Sequence, residues 1–194
     1  MAITYFGNTG VDDDYWGLSA QRAYYGVFTC PGSGNQIVKE LSAYLYGGTA
    51  ANVRLAVYNS AGNSLICQGT AKVNCAQTSK TWQGHMDAGS ITPNPATLIG
   101  GTAYVLIFNI DGIHYCRSDT DAGQTLLSPA DPALTYYDDG FPADISIGGY
   151  TDYYDLCIRC GVEPAAGGGA DTAKKRMSAT HLLMPGFPMA ILPD

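Results

Sequence analysis

The fold is decided by residues 36–59, QIVKELSAYLYGGTAANVRLAVYN. From Ile37 to Leu45 the odd-numbered residues are mostly apolar and the even-numbered ones mostly polar or amphipathic, and residues 53–57 alternate in a similar way. A period of two is typical of antiparallel strands that bury one face. Gly47 and Gly48 begin the turn between them, because glycine readily adopts positive φ. The segment therefore predicts two strands in the middle of a sheet, the first with its odd-numbered face in the core.

Short strand candidates recur along the rest of the chain, separated by turn residues, and no stretch of the body has the pattern of an amphipathic helix. The most apolar candidate is residues 102–110, TAYVLIFNI, whose near-continuous hydrophobicity predicts a central strand buried on both faces. The other candidates are residues 3–7, 23–30, 65–67, 81–86, 113–117, 134–137, 145–147 and 153–162. Eight to ten short strands of this kind predict an all-β fold, an antiparallel β-sandwich of jelly-roll type.

The character of the chain changes at Pro164. Residues 1–163 form the predicted sandwich body, and residues 164–173 are a linker rich in glycine and alanine. Residues 174–194, KKRMSATHLLMPGFPMAILPD, are apolar and contain three prolines, which exclude a regular helix or central strand beyond Met184. An apolar segment is unfavourable in free contact with water, so we expect this C-terminal arm to dock on another surface.

The charge distribution argues against nucleic-acid binding. Residues 1–163 carry 15 acidic and seven basic side chains, whereas the arm begins with Lys174, Lys175 and Arg176. An acidic body repels phosphates, and no basic stripe with interleaved aromatic residues is present. Charged residues make up only 14% of the chain, which suits a β-rich extracellular or virion surface.

The sequence also lacks the patterns of export and membrane insertion. Residues 1–8, MAITYFGN, have no basic region followed by an apolar core, and no window approaches about 18 consecutive apolar residues. We therefore expect synthesis in a host cytoplasm without a signal peptide, and no membrane span. A virion component released by lysis satisfies both this expectation and the extracellular type of composition.

Six cysteines allow 15 pairings. The best candidate disulfide joins Cys67 and Cys75, which flank residues 68–74 and would close a short loop. The alternative is a set of small buried thiols kept reduced in a cytoplasm.

No motif in the sequence predicts an enzyme. His85, His114 and His181 are not in the settings of a catalytic triad or a metal site. Cys157 and Cys160 have C-x-x-C spacing, but a predicted strand would place them on opposite faces, without the helix terminus that activates such thiols. The only glutamates are Glu40 and Glu163, and neither lies in a cluster of loop carboxylates.

Two weaker site predictions concern the loops. Asp12, Asp13 and Asp14 are weak candidate calcium ligands, because calcium prefers carboxylate oxygens, and the favoured alternative is that they are solvated turn aspartates. Flat aromatic rings beside polar side chains bind sugars and also anchor protein partners. The candidate ligand-binding residues of this second kind are Tyr15, Trp16, Tyr136, Tyr137, Asp138 and Asp139.

Two resemblances extend these predictions. The segments GNQIVKELSAYLYGG, NVRLAVYNSAGN and GTAYVLIFNIDG, with Trp82 between the last two, resemble carbohydrate-binding modules and the jelly-roll domains of virion proteins. The C-terminal arm is similar to short segments of small proteins encoded among bacteriophage structural genes. The residues that match are Lys175, Arg176, Ser178, Ala179, Pro185, Leu192, Pro193 and Asp194.

These observations lead to two functional expectations. The first is a non-enzymatic phage virion protein, a capsid decoration or a tail or fibre component, that docks on other virion proteins or on copies of itself to form a homo-oligomer. The predicted partner-binding residues are Arg176, Met177, Leu182, Leu183, Met184, Phe187, Ile191 and Leu192. The alternative is a glycan-binding sandwich module that uses the loop aromatic residues, with no cofactor except, in one version, calcium.

Overall fold

The computed structural model describes residues 2–10, 14–18, 22–46, 51–75, 80–112, 114–118, 139–145 and 157–166. These residues form two antiparallel sheets, which confirms the predicted all-β sandwich. Within them no helix is long and apolar enough to span a lipid bilayer. The strands are β1 Thr4–Gly7, β2 Asp14–Leu18, β3 Arg22–Thr29, β4 Asn35–Tyr46, β5 Asn52–Asn59, β6 Leu65–Gly69, β7 Val73–Asn74, β8 Thr81–His85, β9 Ile91–Thr92, β10 Thr97–Ile99, β11 Ala103–Ile110, β12 His114–Ser118 and β13 Ile158–Pro164.

Sheet A is organised around β4. The order of its strands is β1-β13-β4-β12-β2, and β8 and β10 also pair with β4. Along one edge β4 pairs first with β13 and then with β12, and along the other edge first with β10 and then with β8. β4 can pair with so many partners because its twelve residues are enough for two short strands on each side.

Sheet B has the order β3-β11-β5-β6-β9, and β7 pairs with β5 beyond the end of β6. Its central strand β11 is buried at every position from Tyr104 to Ile110, which confirms the prediction for this segment. The main core lies between the sheets, and it includes Leu41 and Leu45 of sheet A and Leu55, Leu106 and Phe108 of sheet B.

The two strands predicted within residues 36–59 are present, but they do not pair with each other. β4 is the central strand of sheet A, and β5 lies in sheet B between β11 and β6. The connection between them therefore passes from one sheet to the other. This segment links the two layers of the sandwich.

The face that β4 buries changes along the strand, so the prediction for its first half was wrong. Opposite β4, Gly161 pairs with Glu40 and Val162 pairs with Val38, so Lys39 is an extra residue in a β-bulge. Val38 is in the core, as are Leu41, Ala43 and Leu45, whereas Ile37 is only half-buried. The bulge reverses the alternation and turns Glu40 outward.

A second apolar cluster covers the outer face of sheet B. Phe141 and Ile145 pack there against Tyr25, Tyr58 and Ile107. The segment is held by hydrogen bonds from the Tyr58 hydroxyl to the Pro142 carbonyl and from Leu65 N–H to the Ala143 carbonyl. Sheet B is thus buried on both faces over much of its area, and the outer face of sheet A is the more open surface.

Candidate functional site

The centre of the outer face of sheet A is a network of polar side chains around Glu40. Arg159 on β13 donates from Nε and Nη2 to Glu40 Oε1, at 3.0 and 2.7 Å. The Ser42 hydroxyl donates to the same oxygen at 2.7 Å, and the Tyr5 hydroxyl donates to Oε2 at 2.9 Å. Both carboxylate oxygens of Glu40 therefore accept hydrogen bonds, as a buried charge requires.

Two aromatic rings enclose the Arg159 guanidinium. Its central carbon lies 4.2 Å from the ring centroid of Tyr5 and 4.1 Å from that of Trp82. Cations are attracted to the faces of aromatic rings, most strongly to tryptophan. The rings also reduce contact with water, so only 17% of the Arg159 side chain is exposed although the face is open to solvent.

The local sequence makes this arrangement possible. The bulge at Lys39 turns Glu40 outward, and Gly161 opposite it leaves room for neighbouring side chains. A Cβ at Gly161 would lie 2.8 Å from Ile3 Cγ2 and 2.9 Å from Tyr5 Cε1. Glycine at this position thus lets Ile3 and Tyr5 lie flat across the sheet.

More aromatic residues continue this surface toward the end of β4. Tyr44 packs edge-on against Trp82, with ring centroids 5.5 Å apart, and its hydroxyl donates to the Lys80 carbonyl at 3.1 Å. The Lys80 ammonium lies 5.2 Å from the centroid of Tyr46. Partial burial, and then the hydrogen bond to Glu40, raises the pKa of Tyr5. Chemically, the surface offers aromatic rings and paired charges.

Toward the opposite end of β4 the outer face becomes apolar. Ile3 and Ile99 lie there, and they are 39% and 55% exposed. Ile99 pairs with Asn35, and Thr97 beside it pairs with the half-buried Ile37. Exposed apolar side chains that share one sheet face can contribute to a binding surface. Lys39 and Glu163 form an ion pair of 3.5 Å at the same end.

His85 has a structural role in the core. β6 ends at Gly69 and β7 begins at Val73, so the hydrogen-bond ladder of β5 is interrupted near Leu55. The imidazole Nε2 of His85 accepts the Leu55 N–H there at 3.4 Å. Burial and the nearby Arg54 lower the pKa of His85 to about 4, so the ring is neutral at pH 7.

The predicted Cys67–Cys75 disulfide is wrong, because both residues are free and buried. Cys67 pairs with Val57 of β5, and the Cys75 N–H donates to the Ala51 carbonyl. The partners of the two cysteines, Val57 and Ala51, are six positions apart, which along a strand corresponds to about 20 Å. A disulfide requires Cα atoms within about 7 Å. Burial raises the pKa of both thiols to about 12, which makes them unreactive.

The two cysteines with C-x-x-C spacing lie apart, as predicted. Cys160 is in the main core with Ile158 and Val162. Cys157 lies outside that cluster, and its thiol donates to the Gly10 carbonyl at 2.7 Å. Burial raises the pKa of Cys160 well above its ordinary value, so the pair has no feature of a redox site.

The loop predicted at Tyr15 and Trp16 is wrong, whereas the ligand-binding role of these residues stays a prediction. Both residues lie in β2, where they pair with Arg117 and Cys116 of β12. Aromatic residues favour strands, and this preference outweighed the turn signal of the three aspartates. Asp139 lies in an exposed turn, while Tyr136, Tyr137 and Asp138 are outside the described residues.

Only one of the three candidate calcium ligands lies in the described part of the chain. Asp14 begins β2, and Asp12 and Asp13 are outside the described residues. Among the residues that the structure describes, no three His, Cys, Asp or Glu side chains are grouped so as to hold a metal ion. The calcium site therefore stays a prediction about the part of the chain that is not described.

The predicted partner-binding residues of the arm, Arg176 to Leu192, also lie outside the described residues. The structure does describe where the linker that precedes the arm begins. β13 extends through Pro164, which pairs with Gln36, and the Ala165 N–H donates to the Asn35 carbonyl at 2.9 Å. The first residues assigned to the linker are thus part of sheet A.

Sequence reasoning missed the network of Glu40, Arg159, Tyr5 and Trp82. The available signal was the presence of Glu40 and Arg159 inside strand candidates of a chain that contains few charged residues. A charge in a strand needs a partner, and these two are 119 residues apart.

In comparisons with known proteins, no family model matches this chain and no curated protein matches it.

Proposed function

We propose that the protein is a non-enzymatic structural protein of a bacteriophage particle, a capsid decoration or a tail or fibre component, which docks through its C-terminal arm. The observation that carries this proposal is the origin of the linker that leads to the arm. The linker continues directly from β13, which pairs with β1 on one side and with β4 on the other. Tension on the arm is therefore distributed over two hydrogen-bond ladders, as suits a segment that attaches a body to a larger assembly.

The chemistry of the described body supports a structural role. His85 accepts a backbone hydrogen bond, and Glu40 is saturated by four hydrogen bonds. The thiols of Cys67, Cys75 and Cys160 have raised pKa values because they are buried. These groups, which could serve as base, acid or nucleophile in an enzyme, are used here for packing and hydrogen bonding.

The experiment is a truncation whose end point follows from the structure. A chain ending at Ala166 keeps β13 and the hydrogen bond between Ala165 and Asn35, whereas a chain ending before Pro164 loses part of the sheet. The expected result is a folded protein that no longer associates with particles or with other copies. Retention of both the wild-type mass in solution and the particle association would refute the proposal.

Glycan binding is a second candidate, favoured by the aromatic surface of sheet A. Trp82, Tyr44 and Tyr46 lie half-buried beside the charges of Arg159 and Lys80. Sugars bind to such combinations of aromatic rings and polar groups. A glycan array with and without calcium tests this function, using Trp82→Ala and Trp16→Ala. Selective binding lost in one of these folded variants supports it, and no selective binding by the wild type excludes it for the glycans on the array.

A further inference from the structure

We infer that the apolar end of the outer face of sheet A, defined by Ile3, Ile37 and Ile99, binds the C-terminal arm of a neighbouring copy. This inference rests on the proposed docking function of the arm, and it names the surface that receives it. The arm of each copy would then bind the outer face of the next copy, so that the copies associate head to tail.

The first support is the distribution of exposed apolar side chains. Of the five large exposed hydrophobic residues among those described, Ile3, Tyr5 and Ile99 lie on this face and Met86 directly follows β8 of the same sheet. Only Val27 belongs to sheet B. Phe141 and Ile145 cover part of the outer face of sheet B. Among the described residues no comparable segment covers Ile3 and Ile99 on sheet A, so these side chains are available to a partner.

The second support is the chemistry and length of the arm. Residues 177–184 are a proline-free run that includes Met177, Leu182, Leu183 and Met184. These apolar side chains are suited to packing on an apolar surface. Ten residues lie between Ala166 and Met177, and the eleven steps from one to the other can span about 36 Å when extended. Strand β4 has twelve residues and is about 40 Å long. The arm can therefore reach across the face of an adjacent body.

The third support is charge. Lys174, Lys175 and Arg176 precede the apolar run, and residues 1–163 carry 15 acidic against seven basic side chains. A cationic segment is attracted to such a body, which increases the rate of encounter between copies. Repulsion between two acidic bodies opposes association, and the arm offsets part of it.

The place where the linker begins lets the arm reach a neighbouring copy. β13 is still paired at Pro164, and Ala165 is still bonded to Asn35, at the end of the sheet. The linker that leads to the arm thus begins at the end of the sheet, beside the strands that carry Ile37 and Ile99. A copy placed beyond that end is within reach of the arm, and a head-to-tail contact of this kind builds a ring where the rotation between copies closes and an open filament where it does not.

The test uses full-length chains with changes in either the face or the arm. The face variant carries Ile3→Ser and Ile99→Ser, the arm variant carries Leu182→Ser and Leu183→Ser, and Val27→Ser is the control on sheet B. Mass in solution is measured for each, with a thermal melt to check folding. We expect the wild type and Val27→Ser to be oligomeric, and the face and arm variants to be single chains.

Mixing the face and arm variants gives the decisive result. One retains an intact arm and the other an intact face, so the mixture should form one-to-one dimers and nothing larger. Failure to form them from folded variants overturns the inference, as does a wild type that is a single chain because its arm covers its own face. If truncation after Ala166 dissociates the copies but the face variant stays oligomeric, the inference fails and the proposed docking function stands.

Discussion

Arg159 and Glu40 form an ion pair with a closest distance of 2.7 Å on the outer face of sheet A, and their side chains are only 17% and 5% exposed. The pair joins the last described strand to the central strand of the sheet. Nearby, Lys39 and Glu163 form a second pair at 3.5 Å whose side chains are 34% and 22% exposed. The two pairs lie on the same face, and the Arg159 pair is both the more buried and the shorter of the two.

We predict that Arg159→Ala lowers the free energy of unfolding by about 3–5 kcal/mol, because it leaves the Glu40 carboxylate buried without its cation. Lys39→Ala should cost less than about 1 kcal/mol, since that pair is more exposed to solvent. Urea denaturation measures both values. Similar losses of unfolding free energy in the two variants would mean that the aromatic rings around Arg159 do not shield its ion pair from water.

Acidification should destabilise the protein through His85. Its pKa of about 4 in the folded state lies below the ordinary 6.5, so the unfolded chain binds the proton more tightly. The neutral ring contributes about 3 kcal/mol of stability, which is complete above pH 6.5 and lost as the pH falls to 4. The other charges near the ring are Arg54 and Asp87.

The control for this prediction is His85→Gln, which keeps a neutral acceptor for Leu55 N–H but does not titrate. When the pH is lowered from 7 to 4, the wild type should lose about 3 kcal/mol more of its unfolding free energy than the variant loses. An identical pH dependence would show that the ring is not held neutral in the core.

The buried thiols should resist alkylation in the folded protein. At a pKa of about 12, Cys67 and Cys75 have roughly a thousandfold less thiolate than at their ordinary pKa of 9, and they are also inaccessible. Iodoacetamide labelling followed by mass spectrometry should modify them only in urea. A peptide in which Cys67 and Cys75 are disulfide-linked, found without reduction, would contradict the free thiols.

Phe141 should be as important to stability as a residue of the main core. It is 5% exposed, and its ring packs edge-on against Tyr58 with centroids 6.4 Å apart. Phe141→Ala should cost about 3–5 kcal/mol, because it leaves a cavity on the outer face of sheet B. Val27→Ala, at a 42% exposed position of the same face, should change stability by less than about 0.5 kcal/mol. Equal effects would mean that residues 141–145 are not part of the folded unit.

The sequence was sufficient to predict strands and fold class, because a period of two and a continuous apolar run are local signals. The prediction was wrong at β4, because the bulge there reverses which alternate residues face the core. In retrospect the spacing of the buried residues shows it, since Val38 and Leu41 are three positions apart while Leu41, Ala43 and Leu45 are two apart. A bulge can thus be recognised where the spacing between successive buried residues of a strand changes once from two positions to three.

Relationships between distant strands could not be predicted in this way. The ion pair of Glu40 and Arg159 depends on β4 pairing with β13, and nothing local in either strand specifies that partner. The cysteine prediction failed for the same reason. Cys67 and Cys75 are close in sequence, but each pairs with a different part of β5, and the geometry of that strand keeps them apart.

The hydrogen bond between His85 and Leu55 also determines how the two layers are aligned. Apolar contacts are not directional, so in a sandwich the close packing of the side chains is what resists sliding of one sheet over the other. A bond from an imidazole of β8 to the backbone of β5 has a preferred length and angle, and sliding would break it. A Cβ at Gly69 would lie 1.8 Å from the same nitrogen, so the ring has no room to follow such a movement. One side chain therefore holds sheet A and sheet B at a fixed offset, which keeps the outer face of sheet A in a constant position relative to the rest of the body.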